Sequence, residues 1–310
     1  AGDDLEPGYA RVAERVWGET DLPLAVLCNM ASAIGPESAE QLRAAGVPVL
    51  EGTDTGLAAF RILFALRDHR DLPAPQAPSL PPDEVRERWR ARLGLSDPWT
   101  EAEGLRLLAD YGLPVVEFRE ATTEDQAVAA ASELGYPVVL KTATPDGGHK
   151  SDRDGVRLTL SSEEAVREAH RDLAERLGPD VLVARQVPEG VELALGVVRD
   201  EQFGPLVLVA AGGVLVEVLD DRRLALPPLG AAGARRLVDG LAARSLLDGV
   251  RGRPPVDVAA VVEALVRLSA LASDLGDALD ALDVNPLIAG PNGCVAADAL
   301  VIPRRDAGTP

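Results

Sequence analysis

The stretch from Val138 to Leu160 constrains the fold more than any other part of this sequence. It begins as an apolar strand that delivers Lys141, continues through a turn containing Gly147 and Gly148, and returns as an alternating strand. Glycines let backbone N–H groups approach an anion closely, and a nearby lysine neutralises its charge. The pattern therefore favours two strands joined by a phosphate-covering turn. The alternative is an ordinary hairpin with a polar tip.

Lysine and histidine usage supports the phosphate interpretation. The chain has 31 lysine and arginine residues, but Lys141 and Lys150 are its only lysines. Lysine presents a compact ammonium where arginine presents a planar fork, and phosphate contact is one place where the two differ. His149 lies beside Lys150, and an imidazole can accept a phosphoryl group and pass it on. The other histidines, His69 and His170, are interpreted as surface residues of helices.

Composition excludes several classes of protein. A net charge of −19 argues against nucleic-acid partners, because a phosphate backbone needs a basic surface. The longest apolar run, Leu206 to Val216, is much shorter than the ~20 residues of a membrane-spanning helix, so no membrane partner is expected. Two cysteines cannot form a disulfide framework, and we expect a reducing compartment, the cytoplasm. A chain of 310 residues predicts about two domains.

Residues 1–72 predict an alternating α/β segment, with strands over residues 22–28 and 47–50 between three helices. Two strands are too few for a stable sheet, so we predict half of a domain, completed by upstream residues or by another chain. The alternative is a small satellite packed on the next domain. Residues 73–99 follow as a proline-rich linker and a short helix, which mark a domain boundary.

Residues 100–303 predict a second and larger α/β unit. Thr100 and Glu103 have the spacing of a capping box at the start of its first helix. Helices and strands follow, and the unit closes with a predicted hairpin of two strands, residues 282–288 and 295–302.

The closing hairpin contains a group of oxygen ligands. Asp283 and Asn285 are two residues apart and therefore face the same side of a strand, and Asp298 can lie opposite them in the partner strand. Neighbouring carboxylates repel one another, which implies a cation or a basic partner. Oxygen ligands suit Mg²⁺, which binds through one or two carboxylates and substrate phosphates. The alternative is that the Asn-Pro pair only signals a turn and that Asp298 ends a strand.

Two glutamates, Glu192 and Glu217, each interrupt an apolar strand. Such a residue can hydrogen-bond a ribose or help to hold a metal. It can equally lie on the solvent face of an amphipathic strand, and the residues alone favour neither interpretation.

Three motifs in a fixed order resemble a known family. They read LKTATPDGGHKSDRDGVRL, VPEGVELALGVVRDEQFGPLVLVAAGGVLVEVL and LDVNPLIAGPNGCVAADA. Residues 100–303 resemble the ATP-grasp part of the NDP-forming acyl-CoA synthetases, which include ADP-forming acetyl-CoA synthetase and are related to succinyl-CoA synthetase. Residues 1–72, ending GVPVLEGTDTGLAAF, are similar to the tail of the CoA-ligase domain that precedes it in single-chain members.

The resemblance implies an α/β protein with an ATP-grasp fold of two α+β lobes, residues 100–187 and 188–303. A partial flavodoxin-like CoA-ligase domain precedes the lobes, and residues 304–310 form a tail. It also implies roles for single residues. The implied ATP site contains Lys141, Gly147, Gly148, Gln186 and Glu192, the catalytic residues are His149 and Lys150, and the metal ligands are Asn285, Asp298 and Asp283.

The family implies a reaction in which acid, CoA and ATP give acyl-CoA, ADP and phosphate through an acyl phosphate and a phosphohistidine. In the family, the CoA-binding domain and the main phosphohistidine correspond to sequence upstream of Ala1. We therefore expect ATP or ADP and Mg²⁺ as cofactors. The carboxylic acid and CoA are expected to bind through upstream domains or a partner subunit, in an oligomer.

Four places depart from the family pattern. Asp154 stands where a glycine is usual, Ala281 replaces a glutamate, and Ala225 replaces an arginine. The hinge around Ala184, Arg185 and Gln186 differs from the common Gln-Glu/Pro-Met pattern. A carboxylate at position 154 is expected to weaken phosphate binding unless it points away. These departures keep an alternative function open: a catalytically silent nucleotide-binding regulatory module, like those fused to acetyltransferase domains.

Overall fold

The computed structural model describes residues 7–30, 34–71, 76, 78–143, 154–212, 221–249 and 254–305. The chain divides into two compact units, Ala1–Leu72 and Pro73–Pro310. In the described ranges, no helix combines the length and the apolar character that crossing a membrane requires.

The described part of the first unit has two short parallel strands between three helices. In chain order these are α1 (Pro7–Glu19), β1 (Val26–Cys28), α2 (Pro36–Ala44), β2 (Val49–Glu51) and α3 (Thr53–Arg70). Val26 pairs with Val49 in a parallel ladder, as expected where strands alternate with helices. Helix α3 leaves large apolar side chains exposed, namely Leu57, Ile62, Leu63, Phe64 and Leu66. A two-stranded sheet beside such a helix is too small to be stable alone.

The second unit begins with α4 (Asp83–Leu93) and α5 (Glu101–Asp110), and its first lobe follows. The elements of this lobe are β3 (Phe118–Ala121), α6 (Glu124–Leu134), β4 (Val138–Thr142), β5 (Val156–Leu160), α7 (Glu163–Leu177) and β6 (Val181–Arg185). The strands form an antiparallel sheet in the order β3-β6-β4-β5. Helices α6 and α7 cover one face of this sheet, where Val138, Leu140 and Val183 are buried.

The second lobe is a larger antiparallel sheet covered by helices. Its elements are β7 (Val191–Asp200), β8 (Gly204–Ala211), β9 (Arg222–Ala225), α8 (Ala231–Asp239), α9 (Val258–Leu275), β10 (Leu279–Gly290), β11 (Gly293–Ala296) and β12 (Leu300–Pro303), with 3₁₀ turns at Ala242–Asp248 and Gly276–Ala278. The described strands run in the order β11-β10-β7-β8-β9, and β12 also pairs with β10. Helix α9 buries Leu265 and Leu268 against Leu195 and Leu282 of the sheet.

The predicted second strand of the closing hairpin is wrong in one respect, because it is interrupted. Strand β11 pairs with β10 from Leu287 onward, and β12 pairs with β10 up to Asp283. Between these segments β10 has a bulge, since its register against β7 shifts between Val284 and Leu287. The bulge breaks the ladder, so Asp298 lies in the connection between β11 and β12 rather than in a strand.

The interpretation of His170 as a surface residue is also wrong. Its side chain is buried on the inner face of α7, together with Val166, Ala169 and Leu173. Its Nε2 lies 3.1 Å from the carbonyl oxygen of Pro179. The charged neighbours in sequence belong to the other faces of the helix, so local composition concealed the burial.

The predicted capping box at α5 is confirmed. The backbone N–H of Glu103 donates to Thr100 Oγ1 over 3.2 Å, and the backbone N–H of Thr100 donates to Glu103 Oε2 over 2.9 Å. The other oxygen of the Glu103 carboxylate accepts a 2.6 Å bond from Arg92 of α4. The start of α5 is therefore fixed by its own cap and by the preceding helix.

Asp274, near the end of α9, joins three elements through one buried carboxylate. Only 2% of its side chain is exposed, and it accepts bonds from Arg86 over 2.6 and 2.7 Å, from Arg90 over 2.5 Å and from the Tyr111 hydroxyl over 2.5 Å. The bonds from Arg86 outweigh the effect of desolvation, so they lower the pKa of Asp274. The network ties α4 and the end of α5 to α9.

We predict that Asp274→Asn destabilises the second unit by about 3 kcal/mol, because it leaves two arginines without their buried counter-charge. The thermal midpoint, followed by circular dichroism, should fall by about 6–12 °C. The loss should begin to shrink below about pH 4, where the carboxylate of the unfolded chain becomes protonated, and should vanish only below the lowered pKa of Asp274 in the folded protein. The control Asp277→Asn removes a carboxylate that is 98% exposed and should leave the midpoint unchanged. Equal midpoints for Asp274→Asn and wild type would contradict the network.

Candidate active site

The Lys141 side chain extends from the face of the first sheet that lies toward the second lobe. It pairs with Leu182 of β6, and residues paired across strands lie on the same face of a sheet. Leu182 belongs to the core that also contains Leu193 and Leu195 of the second lobe, whereas Leu140 faces α6 and α7. Side-chain alternation along β4 therefore directs the ammonium toward the second lobe.

The Lys141 ammonium has partners on two other parts of the unit. It donates to Oε1 of Glu101, the first residue of α5, over 2.8 Å, and to the carbonyl oxygen of Ala297 over 2.8 Å. It also lies 3.4 Å from Oδ2 of Asp298. The exposed fractions of the side chains are 10% for Lys141, 2% for Glu101 and 31% for Asp298. The ammonium therefore connects the first lobe to the start of α5 and to the connection between β11 and β12.

The charge of Lys141 is maintained by these carboxylates. Burial alone would lower the pKa of an ammonium group. Glu101 and Asp298 act in the opposite direction and outweigh burial, so the pKa of Lys141 is raised. The side chain therefore remains a cation despite its burial.

The predicted metal ligands lie at or beside the bulge in the middle of β10. Asp283 is partly buried and pairs with Gly196 of β7 and with Leu300 of β12. Asn285 is exposed at the bulge. Asp298 follows β11, whose last residue pairs with β10 just after the bulge, and precedes β12, which pairs just before it. Strand register thus places Asp298 beside the bulge that contains Asn285.

In the described ranges, no group of three or more His, Cys, Asp and Glu side chains could hold a metal ion. The predicted set has two carboxylates and one amide, and an amide oxygen can also bind such a cation. Mg²⁺ commonly keeps several waters and takes further oxygens from phosphates, so it does not need a complete protein cage. The donor chemistry therefore fits magnesium bound together with a phosphate ligand.

Glu192 lies on the face of the second sheet opposite to α9. It is exposed and pairs with Ile288 of β10, and the register places it on the same face as Asp283. Its backbone is held closely, because its carbonyl oxygen accepts a 2.8 Å bond from the N–H of Gly212. A Cβ on Gly212 would lie 2.5 Å from the Glu192 carbonyl carbon, so only glycine fits there. Glu192 is not in contact with Lys141 and belongs to a different part of the candidate site.

Gln186 makes local contacts in the first lobe. Its Oε1 accepts a 2.7 Å bond from the N–H of Thr159 in β5, and its amide nitrogen lies 3.3 Å from Thr159 Oγ1. Thr159 has a left-handed φ of 58°, an uncommon conformation for a β-branched residue, and the amide bonds of Gln186 hold it. The side chain of Gln186 is thus engaged with the edge of the first sheet.

Several predicted site residues lie outside the described ranges, namely Gly147, Gly148, His149, Lys150 and Glu217. Asp154, the departure from the family glycine, lies just inside them. It has a φ of 52°, which explains why glycine is usual at this position. Its carboxylate pairs with Arg157 over 2.9 Å and lies 3.6 Å from Arg176. Two arginines therefore offset the negative charge that the sequence indicated as unfavourable.

Glu101 is the site residue that the sequence analysis missed. The capping box explained Glu103, and an acidic residue in the first turn of a helix is ordinary, because it complements the helix dipole. A signal was nevertheless present. Glu101 shares the spacing of the buried residues Leu105 and Leu108, so helical periodicity places it on the apolar face of α5.

Comparisons with known proteins identify the family of the chain. Residues 96–302 match the profile of the ATP-grasp domain family. The sequence is 36% identical over 213 residues to the acetate–CoA ligase [ADP-forming] I subunit beta of Pyrococcus furiosus, covering 66% of this chain and 91% of that subunit. It is 33% identical over 303 residues to the acetate–CoA ligase [ADP-forming] I of Archaeoglobus fulgidus, covering 94% of this chain but only 43% of that protein.

A solved structure is similar as well. It is the acetyl-coenzyme A synthetase 1 of Ca. Korarchaeum cryptofilum in complex with coenzyme A and Ca-AMPCP, at 37% identity and a TM-score of 0.67. The match covers 70% of this chain and 98% of that chain. The family profile and the relatives agree with the motif resemblance, and this chain belongs to the ATP-grasp domain family, among the NDP-forming acyl-CoA synthetases.

Proposed function

We propose that this chain is the nucleotide-binding ATP-grasp portion of an NDP-forming acyl-CoA synthetase. The overall reaction converts acid, CoA and ATP into acyl-CoA, ADP and phosphate through an acyl phosphate and a phosphohistidine. One observation carries the proposal: the Lys141 ammonium lies 3.4 Å from Asp298, a predicted magnesium ligand of the other lobe. A cation and a metal-binding carboxylate that meet between two lobes form a site suited to a polyphosphate.

In this proposal the residues of the chain have separate tasks. Lys141 binds and neutralises phosphate oxygens, and Asn285, Asp298 and Asp283 would hold Mg²⁺. When bound, Mg²⁺ supplies positive charge that orients the phosphates and stabilises the charge on the transferred group. Gln186 and Glu192 line the nucleotide site, and Gly147 and Gly148 cover the phosphates. His149, together with Lys150, receives the phosphoryl group and passes it on.

Structures of the Korarchaeum enzyme support this assignment. One contains coenzyme A and Mg-AMPPCP with its phosphohistidine segment pointing toward the nucleotide binding site, at 37% identity and covering 71% of this chain. Another contains coenzyme A, acetyl-coenzyme A and a phosphorylated phosphohistidine segment in the site I orientation. A phosphohistidine segment that points toward the nucleotide binding site in that protein supports the proposed transfer between a histidine and the nucleotide.

We propose that the first unit is the C-terminal part of a CoA-ligase-like domain. Its two-stranded sheet and the exposed apolar residues of α3, such as Leu63 and Phe64, need further strands and helices to be covered. The acid and CoA would then bind through that completed domain or through a partner subunit, within an oligomer. We place the protein in the cytoplasm, because its two cysteines, Cys28 and Cys294, are buried and unpaired.

We predict that Lys141→Met raises the Kd of the purified chain for magnesium AMPPCP by about 10- to 100-fold. A charge-assisted hydrogen bond contributes ~1.5–3 kcal/mol, which corresponds to that range of affinity. Isothermal titration calorimetry measures the change, and circular dichroism confirms that the variant is folded. The control Arg119→Met removes a surface cation that pairs with Glu133 and should bind as wild type does. An unchanged Kd for Lys141→Met would rule out the phosphate role.

We predict that Asp298→Asn reduces the magnesium dependence of nucleotide binding. The substitution removes a proposed metal ligand and also frees Lys141 from a carboxylate 3.4 Å away. Binding of AMPPCP in EDTA should therefore become tighter, while the roughly tenfold or greater gain expected from Mg²⁺ in the wild type should fall to near one. The control Asp280→Asn changes an exposed carboxylate of β10, the strand that contains Asp283 and Asn285, and should keep the wild-type magnesium dependence. Wild-type magnesium dependence in Asp298→Asn would contradict the assignment.

The silent regulatory module remains the second candidate, and phosphohistidine formation separates the two. Incubation with γ-labelled ATP and Mg²⁺ should leave acid-labile label on the wild type and not on His149→Ala. The control His69→Ala should keep the label. Tight nucleotide binding by the wild type without any label would favour the module instead.

A further inference from the structure

We propose that Glu101 is a positioning residue for nucleotide binding. It holds the Lys141 ammonium in place between the lobes. The ammonium can then exchange its contact with Asp298 for a hydrogen bond to a phosphate oxygen while its bond to Glu101 keeps it in position. The inference rests on the proposed function of Lys141 as a phosphate ligand.

Glu101 is not needed to cap the helix that it begins. The cap of α5 is made by Thr100 and Glu103, each bonded to the backbone of the other. Glu101 instead turns inward, with 2% of its side chain exposed, and bonds to a residue 40 positions away in the sequence. A carboxylate with little solvent needs a partner of opposite charge, and Lys141 supplies it.

The two carboxylates around Lys141 differ in how firmly they hold it. Glu101 makes a 2.8 Å bond from a position with almost no solvent, whereas Asp298 is 3.4 Å away and 31% exposed. Electrostatic attraction is stronger at short distance and in a less polar surrounding. The contact with Asp298 is therefore the one that yields when a metal ion or a phosphate arrives, and the contact with Glu101 persists.

The charges explain why the persistent contact matters. Among the described residues, the cluster contains one ammonium and two carboxylates, and this excess of negative charge disfavours a phosphate. When Asp298 binds a metal ion instead, the remaining pair of Lys141 and Glu101 is neutral. One N–H group of the ammonium then becomes available to donate to a phosphate oxygen. Without Glu101, Lys141 and Asp298 would pair with each other. Lys141 would then be less available to the phosphates, and Asp298 less available to magnesium. Protein kinases use a similar pair, in which a helix glutamate holds the phosphate-binding lysine.

The test compares two glutamates of the same helical turn. We expect Glu101→Gln to raise the Kd for magnesium AMPPCP about tenfold, measured by calorimetry on the full chain. The matched control is Glu103→Gln, which keeps an amide oxygen for the capping box but loses the charge-assisted bond from Arg92. It should lower the thermal midpoint and leave the Kd unchanged. If Glu101→Gln does not fold, Glu101→Asp keeps the charge on a side chain one methylene shorter, and it should also weaken binding.

A double-mutant cycle separates positioning from general structural damage. In the Lys141→Met background, Glu101→Gln should have no further effect on the Kd, because the residue that it positions is gone. Equal weakening in both backgrounds would overturn the inference in favour of a structural role. Wild-type or tighter binding by Glu101→Gln, while Lys141→Met binds weakly, would overturn the inference and leave the proposed function standing. Unchanged binding by Lys141→Met would remove the proposed function itself.

Discussion

A buried ammonium between two lobes sets the geometry on which the rest of the second unit depends. The Lys141 side chain is only 10% exposed, and an ion removed from water in this way is stable only with charged partners nearby. Its partners come from the start of α5 and from the connection after β11, while Lys141 itself belongs to the central part of the first sheet. Three segments that are distant in the sequence must therefore come within hydrogen-bond distance of one another. The cap of α5 and the Asp274 network fix the first of these segments.

The bulge in β10 allows Lys141 to contact the second lobe. An unbroken strand from residue 295 to residue 302 would hold Asp298 in a regular ladder beside β10. Beside the shifted register between Val284 and Leu287, residues 297–299 instead lie outside both strands, and the carbonyl of Ala297 and the carboxylate of Asp298 contact Lys141. Bulges commonly redirect side chains next to functional sites, and this one connects strand register to charge placement.

Sequence patterns predicted the parts of the molecule that depend on local rules. The capping box at Thr100 and the apolar strand that delivers Lys141 follow from spacing alone, and both are confirmed. The patterns failed where tertiary packing decides. Glu101 looked like an ordinary first-turn acid, and His170 looked solvated among charged neighbours, yet both face the core. The position of Asp298 depends on a register shift between strands, which composition does not reveal.

The presence of only two lysines allows a direct test of the central claim, that the Lys141 ammonium contacts the nucleotide phosphates. Lysine labelled with ¹³C at Cε and ¹⁵N at Nζ gives two side-chain NMR signals, and Lys141→Met identifies the one from Lys141. The account predicts that this signal shifts on addition of magnesium AMPPCP. A Lys141 signal that keeps its position at nucleotide concentrations that saturate the protein in calorimetry would contradict the account.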